Sequence, residues 1–434
     1  MTDSYDLVVR SRRAVLPDGE RPAAVAVRAG RIAAVAAYDA PLAAAETTDL
    51  GDVALLPGLV DSHVHVNEPG RTEWEGFATA TRAAAAGGVT AIVDMPLNSL
   101  PPTISAGALA VKRAAAEGAC AVDVGFWGGA IPGNAAELRG LHEAGVYGFK
   151  CFVSPSGVEE FPELDEAGIR DAMTAIAAFG GLLIVHAEDP AGLLEPAGPG
   201  YAEFLASRPP ASESVAIARV ARLAAETGCR THIVHLSDAG SLPVLAEWRA
   251  RGARISAETC PHYLTLAAEE VPEGGTEFKC CPPIRGGDNQ EGLWRGLAAG
   301  EIACVVSDHS PCVPELKKGG FDTAWGGISS LQLGLPVVWS AARARGYGLA
   351  DVAAWMAAGP AELTGLTAKG RIAVGGDADL VAFAADRGFV VDPGALRQRH
   401  PVTPYAGREL TGVVEDVWLR GEPAGHGRLL RRDP

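Results

Sequence analysis

The stretch Leu56-Pro-Gly-Leu-Val-Asp-Ser-His-Val-His-Val-Asn-Glu-Pro-Gly70 decides how this sequence folds. An apolar run over residues 53–60 leads into His63-Val-His65, and polar and turn residues follow. In a β-strand, residues i and i+2 lie on one face about 6–7 Å apart, so both imidazoles can reach one small object at the strand end. Two neutral imidazoles that converge in this way favour a divalent metal ion such as zinc. Two ligands alone do not make a site, and a pair of surface histidines is the alternative.

Length, charge and cysteine usage narrow the class of protein. The 434 residues suit a (β/α)8 barrel of about 250 residues with additions. The net charge of −16, with no basic tract, argues against nucleic-acid and anionic-membrane partners. No apolar run reaches the ~18 residues of a membrane span, and the N-terminus lacks a signal-peptide pattern. Eight scattered cysteines without a CxxC suit reduced thiols, so we expect a cytoplasmic protein.

Strand and helix patterns alternate through the middle of the chain, which indicates a parallel sheet. Eight such units predict a (β/α)8 barrel. An open doubly wound sheet is the alternative, although no GxGxxG follows a strand to support dinucleotide binding. The predicted strands are Leu59–His65, Thr90–Met95, Ala121–Trp127, Tyr147–Val153, Leu182–His186, Thr231–His235, Arg254–Glu258 and Ile302–Ser307.

Short strands separated by turn residues predict a small β module at the two ends of the chain. Strand patterns occupy residues 5–9, 24–27, 31–36 and 54–56, and return at 380–384, 389–391 and 412–419. The predicted organisation is therefore an N-terminal part of a β-sandwich, a metal-dependent barrel, and a C-terminal part of the sandwich with a tail. The three segments are residues 1–55, 56–367 and 368–434.

Side chains that can carry chemistry recur at the C-terminal ends of the predicted strands, where the active sites of such barrels lie. Four histidines, a lysine and a carboxylate occupy these places in different strand–helix units. They are His63, His65, Lys150, His186, His235 and Asp308. Random placement would seldom give this recurrence, so the metal hypothesis gains over the pair of surface histidines.

Lys150 and Asp308 need separate roles. A free ammonium has donors only and cannot bind a cation, so Lys150 is either buried against a carboxylate or carbamylated by carbon dioxide. A carbamate could bridge two metal ions about 3.5–4 Å apart. Asp308 could bind one metal and accept a proton from metal-bound water, giving hydroxide as the nucleophile. A structural aspartate that caps the following turn is the alternative.

The order HxH, Lys, His, His, Asp resembles that of the amidohydrolase superfamily, in its group of dihydroorotases, hydantoinases and allantoinases. The resemblance runs from the N-terminal β module to residues 370–380. It implies that His63, His65 and Asp308 bind one metal ion, that His186 and His235 bind another, and that carboxylated Lys150 bridges both. Two zinc ions are implied, with cobalt, manganese or iron as alternatives. A homo-oligomer, in particular a homotetramer, is implied as well.

Substrate-facing positions separate the members of this group. Asn67 stands where dihydroorotases carry an arginine that holds the substrate carboxylate, and Pro155 stands where hydantoinases place a tyrosine. Because a buried carboxylate without its partner is costly, Asn67 favours a ring that has no carboxylate. Uninterrupted blocks at residues 67–77, 148–152 and 307–312 resemble those of allantoinases.

This resemblance implies hydrolysis of allantoin, a small neutral ureide, to allantoate by opening of its hydantoin ring. The candidate substrate contacts are Asn67, Asn98, Cys281 and Ser310, with Cys281 standing where allantoinases carry serine. A hydantoinase or dihydropyrimidinase is the first alternative. A non-catalytic scaffold related to dihydropyrimidinases is the second, although such scaffolds commonly lose metal ligands and all six positions are present here.

Overall fold

The computed structural model describes residues 4–432, and the chain begins with strands of a single sheet. Strand β1 extends beyond the predicted strand at residues 5–9 as far as Leu16, and β4 has no counterpart among the predicted strands. The sequence of β4, Ala-Ala-Glu-Thr-Thr-Asp, is mostly polar because this strand pairs only with β1 and leaves its side chains half-buried or exposed. The first strands are β1 (Tyr5–Leu16), β2 (Gly19–Arg28), β3 (Arg31–Ala36), β4 (Ala44–Asp49) and β5 (Ala54–Pro57).

The middle of the chain alternates strands and helices, as the sequence predicts. Its strands are β6 (Leu59–Val64), β7 (Val89–Asp94), β8 (Asp123–Phe126), β9 (Gly128–Gly129), β10 (Phe149–Phe152), β11 (Leu182–His186), β12 (Arg230–Ile233), β13 (Ile255–Thr259) and β14 (Cys304–Val305). Its helices are α1 (Phe77–Ala86), α2 (Ala106–Ala116), α3 (Glu137–Glu143), α4 (Glu166–Ala177), α5 (Tyr201–Ser207), α6 (Pro210–Thr227), α7 (Leu242–Ala250), α8 (Pro261–Thr265), α9 (Gly287–Ala298), α10 (Gly334–Ala344), α11 (Leu349–Ala353) and α12 (Gly359–Thr364). None of the helices within residues 4–432 is long and apolar enough to cross a membrane.

Helix α4 shows how local sequence sets these elements. Asp165 precedes the helix and its carboxylate accepts a hydrogen bond from the Gly168 N–H, which satisfies one of the free donors of the first turn. The buried residues of the helix are Ile169, Ala172, Met173 and Ile176. Their spacing of three and four places one apolar stripe against the sheet.

The middle strands are parallel and form two contiguous sheets. Their orders are β14–β13–β12–β11–β10–β9 and β6–β7–β8. Trp127 alone separates β8 from β9, and its N–H donates to the Asp94 carbonyl at 3.0 Å. Beyond β14, His309 forms a parallel bridge with Val64. Because the strands are parallel, their carboxyl ends lie at one edge of the structure.

Strand β14 is shorter than predicted. The sequence predicts a strand over 302–307, whereas the ladder with β13 covers Cys304 and Val305. The Ser307 N–H bonds to the Asp61 carboxylate, 3.1 Å away. This side-chain contact takes the place of a ladder bond at Ser307, and the chain pairs again with β6 at His309.

The last strands complete the sheet that the N-terminus begins. They are β15 (Leu380–Val390), β16 (Glu409–Leu419) and β17 (Glu422–Pro423). The sheet order is β17–β16–β15–β5–β1–β2–β3, with β4 on β1. The two short strands predicted at 380–384 and 389–391 are one strand, because a register shift between Ala384 and Gly388 keeps both halves paired with β16.

A buried ion cluster ties this sheet to the parallel strands. The Lys369 ammonium lies 2.6 Å from Asp379, next to β15, and 2.8 Å from Asp123 on β8. Asp377 is 3.2 Å from the same ammonium, and Arg420 pairs with Asp123 at 2.7 Å. Three carboxylates so close together repel one another unless the lysine is present.

We expect Lys369→Met to destabilise the protein by about 3–5 kcal/mol, because it leaves buried carboxylates without their cation. Urea unfolding followed by circular dichroism measures the change. Arg371→Met is the matched control, since Arg371 makes an exposed pair with Glu362 and its loss should cost less than about 1 kcal/mol. Equal losses in the two variants would contradict the role given to the cluster.

Candidate metal centre

The six residues predicted from the strand ends meet in one cavity of about 320 Å³. They come from β6, β10, β11 and the turns that follow β6, β12 and β14. All six side chains belong to buried residues, with Asp308 the most exposed at 8%. They are His63, His65, Lys150, His186, His235 and Asp308. Residues more than 240 positions apart in sequence therefore share one buried site, as the sequence predicts.

Two groups of donor atoms lie side by side in this cavity. Asp308 Oδ1 is 3.1 Å from His63 Nε2 and 3.6 Å from His65 Nε2. His186 Nδ1 is 3.0 Å from His235 Nε2. The rings of His63 and His235 are 5.4 Å apart and connect the two groups. This arrangement of histidine and carboxylate donors suits metal binding.

The backbone at the site adopts an uncommon conformation. His235 and Asp308 have φ angles of 39° and 45°, and Asn67 and Asn98 have 67° and 65°. A non-glycine residue rarely adopts positive φ, and such conformations concentrate at functional sites. At His235 and Asp308 the chain turns sharply just after the strand, and the turn places both residues in the wall of the cavity.

Glu258, at the end of β13, fixes the orientation of His63. Its Oε1 lies 2.6 Å from His63 Nδ1, and its Oε2 lies 3.0 Å from His232 Nε2. Burial raises the pKa of Glu258, but His63 and His232 outweigh burial and lower it to about 2. The anionic carboxylate accepts the Nδ1 proton of His63, so that the Nε2 lone pair faces Asp308.

Glu188 plays the equivalent part for His186. Its Oε2 lies 2.8 Å from His186 Nε2, and the side chain is fully buried. Burial raises the pKa of Glu188, but Arg208 and His186 lower it to about 2. The Nδ1 of His186 is thereby left free to face His235. Neither glutamate was predicted, although each gave a signal: Glu258 ends the seventh predicted strand, and Glu188 lies two residues after His186.

The electrostatics of the site fit a bound cation. Burial lowers the pKa of His65 and His235 well below the usual value, so both imidazoles are neutral. At His63, burial lowers the pKa, but the facing carboxylates of Asp308 and Glu258 raise it to about 9. The two carboxylates that stabilise a proton on His63 would also stabilise a metal cation at the same place.

Lys150 lies among these groups without a carboxylate partner. Among residues 4–432, no carboxylate lies within ion-pair distance of Nζ, and the Phe152 ring is 4.8 Å away. Burial lowers the pKa of Lys150 to about 8. The Asp308 and Glu258 carboxylates act on this buried amine from beyond ion-pair distance, so both sequence-based alternatives, a lysine buried against a carboxylate and a carbamylated lysine, stay predictions.

The predicted substrate contacts divide into two groups. Asn98, Cys281 and Ser310 line the cavity. Asn67 is not among the described residues that line it: its Nδ2 donates to the Pro311 carbonyl at 3.0 Å. The backbone at Asn67 is left-handed and its amide contacts the Pro311 loop, so a direct substrate contact for Asn67 stays a prediction.

Two further histidines surround the centre. His232, predicted as a core residue, is fully buried and bonds Glu258 and Ser256, the latter at 2.7 Å. His262 is also fully buried, near Asp308, and neither of its ring nitrogens has a hydrogen-bond partner among the described residues. The sequence left the role of His262 open, and the structure places this residue beside Asp308.

Comparison with known proteins agrees with this geometry. The pattern of the amidohydrolase family matches residues 54–424. The chain belongs to the amidohydrolase family. The allantoinase of Streptomyces avermitilis is 57% identical over 99% of this chain and 99% of its own length, and the allantoinase of Saccharomyces cerevisiae is 45% identical over 85% of this chain and 82% of its own. The structure of an L-hydantoinase (dihydropyrimidinase) from Arthrobacter aurescens superimposes with a TM-score of 0.94 at 30% identity, covering 99% of this chain and 100% of that one.

We expect Glu258→Gln to weaken metal binding by about 10–100-fold in this amidohydrolase, because a neutral amide has one acceptor for two imidazoles. Competition with a chelator that changes absorbance on zinc binding measures the affinity. Glu226→Gln, on the exposed face of α6, is the control and should bind metal like the unaltered protein. Unchanged affinity in Glu258→Gln would contradict the role assigned to this carboxylate.

Proposed function

We propose that this amidohydrolase opens the hydantoin ring of allantoin to give allantoate. The observation that carries the proposal is the convergence of His63, His65, Lys150, His186, His235 and Asp308 in one cavity. It occurs in a chain whose relatives over nearly its whole length are allantoinases. The cavity of about 320 Å³ is at the lower end of the usual range for small-molecule sites, which suits a small ureide.

The proposed cofactor is a pair of divalent metal ions. His63, His65 and Asp308 would hold one ion, and His186 and His235 the other. Zinc is the first choice for histidine and carboxylate donors, and cobalt, manganese and iron are alternatives with the same ligand types. When bound, two such ions polarise a carbonyl and lower the pKa of the attacking water.

Carbamylation of Lys150 follows from its surroundings. With a pKa near 8, an appreciable fraction of the amine is neutral at physiological pH and can attack carbon dioxide. The amine nitrogen then forms a bond to carbon and loses one proton, giving a carbamate with a negative charge. In place of the Lys150 ammonium, the site would then hold the carbamate anion, which could bridge the two groups of donors.

Asp308 is the proposed proton carrier. Its carboxylate accepts the proton of the attacking water as the new C–O bond forms at the ring carbonyl. It then delivers this proton to the ring nitrogen as the C–N bond breaks. Without a metal ion, a protonated His63 at 3.1 Å outweighs burial and holds the pKa of Asp308 well below its usual range. A cation bound between Asp308 and the Nε2 lone pair of His63 would keep the carboxylate anionic in the same way.

Asn98, Ser310 and Cys281 are the proposed contacts to the substrate. The Asn98 amide also lies 3.4 Å from His65 Nδ1, so it can link the substrate to the metal-binding histidines. The Cys281 side chain is half-buried, and a thiol there leaves space and backbone groups for a ureide ring. Asn67 contributes indirectly by holding the loop at Pro311.

A hydantoinase or dihydropyrimidinase is the second candidate, favoured by the structural match to the Arthrobacter aurescens protein. Pro155 argues against it, because it occupies part of the cavity lining where hydantoinases place a tyrosine. A non-catalytic scaffold has less support, since the complete set of candidate ligands is buried in one cavity.

The wider architecture remains part of the proposal. We infer a closed (β/α)8 barrel over residues 56–367, supported by the parallel bridge between Val64 and His309 at one junction of the two sheets and by the one-residue gap between β8 and β9 at the other. Residues 1–55 and 368–434 form the proposed β domain, and its sandwich arrangement stays a prediction, as does the homotetramer. Free cysteines, seven of the eight buried, suit a reducing compartment such as the cytoplasm.

An allantoin assay tests the proposed function. We expect the zinc-, cobalt- or manganese-loaded protein to convert allantoin to allantoate, followed by loss of the ring and appearance of a carboxylate in NMR spectra. Removal of the metal by a chelator should abolish turnover, and added metal should restore it. Brisk opening of hydantoin or dihydrouracil without turnover of allantoin would instead support the second candidate.

We expect Asp308→Asn to lower kcat by at least about 10²–10⁴-fold, because the amide cannot accept or deliver the proton. Steady-state kinetics with allantoin measure the loss, and metal analysis shows how far the amide also weakens binding. Asp171→Asn, on the exposed face of α4, makes the same chemical change away from the cavity and should have no effect. A variant with full metal content and nearly full kcat would remove Asp308 from the proposed mechanism.

A further inference from the structure

Arg208 forms a cationic part of the cavity wall. It follows α5 directly, and its side chain is 18% exposed. It lines the same cavity as Cys281 and Ser310. An arginine at a site for a neutral substrate needs a reason, since part of its guanidinium is removed from water.

Glu188 occupies one edge of this guanidinium. Arg208 Nε donates to Glu188 Oε1 at 3.0 Å, and Nη2 donates to Oε2 at 2.5 Å. The same carboxylate accepts the Nε2–H of His186 at 2.8 Å. Glu188 therefore holds His186 on one side and Arg208 on the other.

The opposite edge of the guanidinium is available for binding. A guanidinium has five N–H donors, and the Nη1 group has no hydrogen bond to any residue in the described part of the chain. Because Nε and Nη2 are fixed by Glu188, the position of Nη1 is set as well. This edge can donate two hydrogen bonds to a carbonyl oxygen in the cavity.

Arg208 is connected to the metal centre only through other side chains, and this limits which carbonyl of the substrate it can contact. His186 faces His235 with Nδ1 and Glu188 with Nε2, so an imidazole ring and a carboxylate lie between the centre and Arg208. The scissile ring amide has to lie at the centre. Arg208 is therefore placed for a group that projects from the ring, and in allantoin this group is the ureido substituent.

We propose that Arg208 determines specificity by donating a hydrogen bond from Nη1 to the carbonyl oxygen of the ureido substituent. This inference rests on the proposed function and names the residue that would separate allantoin from hydantoins without that substituent. Glu188 is a positioning residue in this scheme, because it fixes Arg208 and His186 with one carboxylate.

Arg208→Lys tests the proposal in the metal-loaded protein. Lysine keeps a positive charge beside Glu188, but its single ammonium cannot serve the carboxylate and the substrate in the same fork geometry. We expect KM for allantoin to rise at least tenfold, whereas kcat/KM for unsubstituted hydantoin should change less than threefold. If hydantoin is not turned over, its inhibition constant is measured instead and should change less than threefold. Metal content per chain should equal that of the unaltered protein.

Equilibrium binding gives a measurement that does not depend on turnover. Isothermal titration compares allantoate, which carries the additional ureido group, with hydantoate, which lacks it. We expect Arg208→Lys to bind allantoate at least tenfold more weakly and hydantoate with little change. Equal weakening of both ligands, or unchanged binding of allantoate, would overturn the proposal.

Three controls separate recognition from positioning. Arg222→Lys, on the half-exposed face of α6, should match the unaltered protein. Glu188→Gln should lower the activity with both substrates in proportion and lower the metal content, since it acts through His186.

If Arg208→Lys does not fold, the double variant Glu188→Met with Arg208→Met removes the pair without leaving a buried charge. Its ratio of allantoin to hydantoin activity should still fall at least tenfold, and an unchanged ratio would overturn the proposal.

Measurements on the unaltered protein distinguish failure of the proposed function from failure of the role proposed for Arg208. If it opens hydantoin but not allantoin, the proposed function fails whatever Arg208 does. If it opens allantoin and Arg208→Lys keeps the same preference, only the assignment of Arg208 fails.

Discussion

The carboxylate of Glu258, held between two fully buried histidines, is the interaction on which the candidate centre depends. A neutral imidazole carries one proton and one lone pair, and which nitrogen can bind a cation is decided by the acceptor at the other nitrogen. Glu258 is that acceptor for His63, at 2.6 Å. His232 supplies a second hydrogen bond to the carboxylate, and Ser256 in turn bonds His232. Without this chain, the buried His63 ring could turn or adopt the other tautomer.

The same constraint explains the charge distribution around the cavity. Glu258 lies behind His63 and Glu188 lies behind His186, and both stay ionised although they are buried. Asp308 adds a third negative charge within the centre. Two divalent cations would be stabilised by these carboxylates, whereas an ammonium at Lys150 would repel them. A carbamate at Lys150 would remove that repulsion and supply a further negative charge, which supports the proposed modification on electrostatic grounds.

The sequence predicted the residues that meet and not the residues that orient them. His63, His65, His186, His235, Lys150 and Asp308 stand at strand ends, and parallel strands bring such ends together whatever the details of packing. Glu258 and Glu188 were missed because their function depends on distances between strands, which no local pattern encodes. Eight of the nine middle strands were predicted within a few residues, and the two-residue β9 was not. Strand β4 was missed because edge pairing with β1 overrides its polar sequence. The hydrogen bond of Asn67 to the Pro311 carbonyl could not be predicted, since the direction of this side chain depends on a positive φ angle.

Fold and substrate preference rest on different parts of this chain. A TM-score of 0.94 with an L-hydantoinase at 30% identity means that the two backbones coincide over nearly their whole length while most side chains differ. The candidate metal ligands lie on strands, or one turn beyond them, whose backbone is fixed by the parallel ladders. Pro155, Cys281 and Arg208 instead lie on connecting segments at the cavity wall, where a change of side chain leaves the ladders intact. Substrate preference can therefore differ between proteins that share this scaffold, and Arg208 is a wall residue whose Nη1 donors have no hydrogen-bond partner in the described part of the chain.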